Sequence, residues 1–297
     1  MNEEIQKWIN ELSEQIAALW RRTERRIRVE QAKLSSTVLE YLINLEYSDG
    51  KLIETSQNIA KLNVLKAIIE EFMLKNMVEL SEIFASDVID IAVKNGEIYK
   101  LLGFDAGLVD DIVNDTEMIR GKLGVDANGK IQTGGFMSQM VDAAAVKSEI
   151  IDYVVSSITS RDEQKTFLKG MQGLIKGRQK QTVGALESFW NQYAYDVAAQ
   201  VREVQNLKIA NELGLQYFIY TGGLIDASRD FCKKKNGLVF SRKEAEDWVN
   251  DPDLIDKKTK ATYKPLIERG RYNCRHFLMW ISEEKALELK KNGDANR

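Results

Sequence analysis

The sequence predicts a mainly α protein, a long-helix N-terminal body followed by a small C-terminal α+β module. Three observations predict it. Both prolines, Pro252 and Pro265, lie beyond residue 250 of 297, so most of the chain lacks the residue that costs about 3 kcal/mol inside a helix. Apolar residues ahead of Gly214 recur at three and four positions, the period of one helix face. After Gly214 the texture changes to β-branched and aromatic runs bounded by glycines, which reads as strands and turns. The expected organisation is a helical body over 1–214 and an α+β module over 215–297.

The elements follow in order. Ile5, Trp8, Ile9, Leu12, Ile16 and Leu19 share a face and predict a helix over about 2–33. "YSDGK", Tyr47 to Lys51, is a turn. Ile59, Leu62, Leu65, Ile69, Phe72 and Leu80 predict a second helix over about 55–95. A glycine-bearing break runs from Gly121 to Gly135. Its "VDANGKI" matches the middle of a calcium loop, but with Gly129 as the sixth residue the first and twelfth are Gly124 and Gly135, where acidic ligands belong. A turn or small hairpin at Asn128-Gly129 is the better reading. Helices over about 138–158 and 184–213 come next, the second marked by Leu186, Phe189, Trp190, Tyr193, Val197, Val201 and Val204. In the module, "LQYFIYTGG" reads as a strand and turn, and "DASRDFCKKKNG" as a short helix capped by Asp226 and stopped at Asn236-Gly237. "LVF" is a short strand, "SRKEAEDWVN" a helix with a Ser241–Glu244 capping box, "HFLMWI" a strand, and "SEEKALELKK" a last helix capped at Ser282.

Charge sets limits on function. A net charge of −3 gives no whole-chain argument for nucleic acid or an acidic membrane, so any such contact needs a local patch. Two patches exist. One holds Arg21, Arg22, Arg25, Arg26 and Arg28; the other holds Lys169, Lys176, Arg178 and Lys180. Each reads as a phosphate contact, as a docking site for an acidic partner, or as a solvated helix face. Trp8, Trp20 and Trp190 read as core or interface anchors. No run approaches the roughly 18 apolar residues of a membrane span. The acidic, polar N-terminus does not read as a signal peptide. Two cysteines in so long a chain argue against a disulfide scaffold and fit a reducing compartment.

The chemistry-bearing residues gather late. Cys232, Cys274 and His276, the only histidine, are ligand types that zinc prefers. A fourth ligand would be Asp226, Asp230 or water; the other readings are a close thiol pair or two small buried apolar residues. Tyr220, Asp226, Arg229 and Arg275 form a polar set that reads either as a catalytic acid with a cation or as a structural Asp–Arg pair. No serine stands in a triad arrangement with the histidine.

The order Tyr-Thr-Gly, "DASRDFC", "NG", "EAEDW", "YNCRH" resembles the phage Mu F-like (MuF) domain of minor head proteins, the phage head morphogenesis family. The resemblance covers residues 220–282. By position it makes Asp226, Arg229, Cys232, Gly237, Asn273, Cys274, Arg275 and His276 the signature residues. "RGRY" stands where members often carry proline-histidine, and Cys232 stands where many carry histidine. The resemblance implies a low-copy protein made in the host cytoplasm and housed inside the capsid near the portal. There it would assist head assembly and DNA packaging or ejection. The implied partners are the portal, the major capsid or scaffolding protein, and packaged double-stranded DNA, with no membrane in the mature head. It implies no enzyme and no cofactor beyond a structural zinc. The alternative is a hydrolase, nuclease or toxin-related effector built on Asp226, Arg229, Cys232 and His276.

Overall fold

The computed structural model describes residues 3–178, 182–254, 262–271 and 274–294. It is 69% helical and 9% strand, with a long helical N-terminal body and a small sheet region near the C-terminus, the class the sequence predicts. The order is α1 (Glu3–Leu42), β1 (Tyr47–Ser48), β2 (Lys51–Leu52), α2 (Ser56–Lys94), α3 (Glu97–Leu101), α4 (Ala106–Asn114), α5 (Glu117–Leu123) and α6 (Phe136–Asp142). Then come α7 (Ala144–Ser160), α8 (Gln164–Lys176), β3 (Gly177–Arg178), β4 (Thr182–Val183), α9 (Ala185–Glu212), β5 (Tyr217–Gly222) and α10 (Asp230–Lys235). β6 (Val239–Ser241), α11 (Arg242–Glu246), α12 (Pro265–Glu268), β7 (His276–Ile281) and α13 (Glu283–Asp294) complete the chain.

Local chemistry explains most boundaries. α1 continues past residue 33 because Leu34, Val38 and Leu42, all fully buried, extend its apolar stripe at four-residue steps. The Asn128-Gly129 turn is closed by Asp126 Oδ1, which accepts the Asn128 and Lys130 N–H groups, and Val125 bridges Ile131. Ser241 and Glu244 form the expected capping box, and Ser282 Oγ accepts the Lys285 N–H. The β3–β4 hairpin is new: the second basic segment leaves its helix at Gly177, where φ is +78°.

The chain divides into two compact units, Met1–Ala18 with Asp87–Lys122 and Tyr195–Arg297, and Leu19–Ser86 with Leu123–Ala194. This division differs from the one expected between 214 and 215. In the first unit a three-stranded antiparallel sheet, ordered β6-β5-β7, pairs Tyr217 with Ser241 and Ile281 and Gly222 with His276. So small a sheet cannot bury an apolar face by itself. Tyr99 of α3, Val109, Ile112 and Val113 of α4, and Ile209 and Ala210 of α9 join Phe218, Tyr220 and Trp280 in one core. Trp248 anchors it, with Phe218, Tyr220, Phe231 and Phe240 edge-on at 5.2 to 5.8 Å. In the second unit, Trp190 of α9 packs edge-on against Phe84 of α2, and Tyr153 of α7 stacks on Phe167 of α8.

Candidate metal centre

Three segments of the first unit converge on one point. β5 presents Tyr220, α10 presents Cys232, the loop entering β7 presents Cys274, and β7 itself presents His276. Cys232 Sγ lies 3.9 Å from Cys274 Sγ, and Cys274 Sγ lies 4.0 Å from His276 Nδ1. All three donor atoms fall within 4.8 Å of one another, and this buried group could hold a metal ion. The proximity expected from the sequence is thus present. The three side chains are sealed from solvent, at 3%, 2% and 1% exposure.

The spacing suits a tetrahedral ion. Bonds of about 2.3 Å at tetrahedral angles set two sulfurs about 3.8 Å apart, close to the separation found. Gly270 keeps the space clear, because a Cβ there would stand 2.7 Å from Cys232 Sγ and 3.1 Å from Cys274 Sγ. Its neighbours Arg269 and Arg271 take φ of +50° and +65°, conformations costly for residues with side chains. Surrounding groups hold that strain: the Tyr263 hydroxyl donates to the Arg269 carbonyl, and the Arg229 guanidinium donates to the Gly270 carbonyl.

Tyr220 completes the inner surroundings. Its hydroxyl lies 3.4 Å from Cys232 Sγ and 3.2 Å from Cys274 Sγ, and its ring stacks on His276 at 4.8 Å. The hydrogen bond from Cys232 holds the Cys274 thiol well below its ordinary value, with His276, Arg269 and Tyr220 adding to this against burial. Cys232 moves the opposite way, raised by its bond to Cys274 and by burial.

A second layer, unread in the sequence, surrounds this group. Arg269 is buried and ion-paired with the fully buried Glu203 at 3.1 Å, and its Nη1 donates to the Ala199 carbonyl at 2.9 Å. Glu203 Oε2 accepts the Leu278 N–H at 3.2 Å, tying α9 to β7. Arg202 lies over the Phe277 ring at 4.5 Å. Burial pushes the Glu203 carboxyl above its usual range, against the pull of Arg269 and Arg202. Two guanidiniums against one carboxylate leave positive charge beside the thiols, where it favours a thiolate.

Comparison with family models, curated proteins and solved structures finds no match for this chain. Among the described residues no helix is long and apolar enough to cross a membrane.

The other residues singled out from sequence divide clearly. Asp226 does not cap α10; it is exposed in a turn closed by Ser228, four residues ahead of the helix, whose N-cap is Arg229. Neither Asp226 nor Asp230 joins the ligand group, so no carboxylate completes it among the described residues. Gly237, with φ of +80°, donates its N–H to the Tyr220 carbonyl and ends α10. Arg275 is exposed, and Asn273 lies outside the described residues. In the second unit Arg21, Arg22, Arg25, Arg26 and Arg28 are exposed on α1, and Lys169 and Lys176 are exposed on α8. Arg178 belongs to β3, and Lys180 lies outside the described residues. Trp190 is fully buried, as an anchor should be; Trp8 and Trp20 are half-buried.

Proposed function

We propose that this chain is a minor capsid protein of a tailed bacteriophage, of the phage Mu F-like kind, acting inside the head near the portal in head assembly. In this reading Cys232, Cys274 and His276 form a structural zinc centre, and the protein is not an enzyme. The observation that carries the proposal is that four of the eight signature residues converge: Cys232, Cys274 and His276 form one buried group, and Arg229 is bonded to Gly270 beside it. Those four residues come from two separate segments, and the MuF resemblance accounts for their meeting. Two thiols and an imidazole are the donors zinc favours. With each side chain at 3% exposure or less, the centre suits structure better than turnover, since a catalytic zinc keeps a position open to substrate. When bound, the ion would supply cohesion, joining α10 to the loop that enters β7. The partners proposed are the portal and the major capsid or scaffolding protein, met after synthesis in the host cytoplasm.

Gold-labelled antibody against the chain, applied to opened phage particles and viewed by electron microscopy, tests this reading. The expected result is label at a single vertex, inside the head. Label spread over the outer shell, or absent from particles, would contradict it.

A further inference from the structure

The second unit brings together charges that the sequence keeps far apart. Arg28 of α1 and Lys165, Lys169 and Lys176 of α8 line one cleft of about 1490 Å³. Lys165, Lys169, Gln172 and Lys176 follow at steps of four, three and four, so α8 turns a single face to this space. At 1.5 Å per residue its lysines stand about 6 Å and then about 10.5 Å apart along the axis. No ion pair engages any of the three among the described residues, and all three are exposed. The one carboxylate in the lining, Glu187, is buried and already held by Arg28 at 2.9 Å. Arg21 and Arg25 sit seven and three residues before Arg28, both exposed on the same face of α1, and extend the basic track beyond the cleft.

We infer that this cleft binds the phosphate backbone of a nucleic acid. An interface for an acidic protein would offer an apolar or aromatic anchor at its centre, with charge kept to the rim. Here the single aromatic in the lining, Tyr153, already stacks on Phe167 at 5.9 Å, and Val183 is the one large apolar side chain exposed there. Lysines line the wall instead, with Gly173 between Lys169 and Lys176. The same absence of a free ring leaves no platform for stacking bases, so the cleft reads charge and not sequence. It concerns other residues than the metal centre, and it stands whether or not the head-protein reading does.

The test is fluorescence anisotropy of the full chain, over a salt series, with three probes: a labelled duplex of about 20 base pairs, a single strand of the same length, and poly-glutamate. The variants are Lys165→Gln/Lys169→Gln/Lys176→Gln and, with the same charge change in the other unit, Lys233→Gln/Lys243→Gln/Lys285→Gln. The cleft variant should bind nucleic acid at least about tenfold more weakly, with a log–log salt slope smaller by about two to three. The control should bind as wild type does. Because all six lysines are exposed, unchanged thermal melts are expected for both variants. No binding to either nucleic acid, equal loss in both variants, or tighter binding of poly-glutamate than of nucleic acid would overturn the inference. The two nucleic-acid arms then tell duplex from single strand.

Discussion

At Gly270 a single methyl group separates a fitting chain from an overpacked one. The two sulfurs and the Tyr220 hydroxyl already occupy the space around a Cβ. Gly270→Ala should therefore cost about 1–3 kcal/mol, as overpacking does, read as a lower midpoint in denaturant unfolding. Glu203 is the second critical residue. Replacing it with Gln leaves Arg269 and Arg202 buried without a carboxylate, a loss of about 3–5 kcal/mol, measurable in the same titration. The two residues differ in how they are read from sequence. Cys232, Cys274 and His276 stand out because soft ligands are scarce in this chain. Glu203 and Arg269 are two charges among many, and nothing in a charge records that α9 and the loop before β7 bury it. Gly270 has no signal beyond being a glycine near a cysteine.

Among the elements, α10 and α11 are held by carboxylates whose behaviour sets an acid limit. The Ser241 N–H and hydroxyl and then Lys290 hold the Glu244 carboxyl below its ordinary 4.5, against burial. Lys235 and the Asp253 N–H hold Asp251 below 3.8 in the same way, again against burial. Depressed values mean stabilisation that is present above the ordinary pKa and lost as pH falls through the folded one. Thermal melts should thus show stability falling as pH drops below about 4.5, more steeply in wild type than in Glu244→Gln/Asp251→Asn. Ser241→Ala should cost about 1 kcal/mol at neutral pH. This capping box is legible because its signal is local. The start of α10 is not: Asp226 has the right residue type, but Arg229 is fixed on the Gly270 carbonyl, and the helix begins after that long-range contact. The basic clusters on α1 and α8 are readable one at a time, though no helix is expected over 164–176. Lys165 extends the second at a four-residue step, but its place beside Arg28 depends on tertiary packing.

For the whole molecule, the first unit draws on three stretches of sequence. The change of texture at Gly214 marks where strands begin, but the sheet's core includes Tyr99, Ile112, Ile209 and Ala210 from the helical stretches. Sequence texture reports element type, whereas a unit is defined by which apolar faces meet. A fragment of residues 215–297 alone should therefore fail to fold cooperatively, seen as a broad, shallow melt by circular dichroism; a sharp melt would show the module to be independent. Within the third stretch, the Cys232, Cys274 and His276 group joins α10 to the start of β7. Metal analysis of the purified full chain, alone and as Cys232→Ser, tests that centre most directly. The account predicts about one zinc per wild-type chain, lost in the variant together with at least about 5 °C of melting temperature. A chain that purifies without metal, or a variant that keeps its zinc, would contradict it.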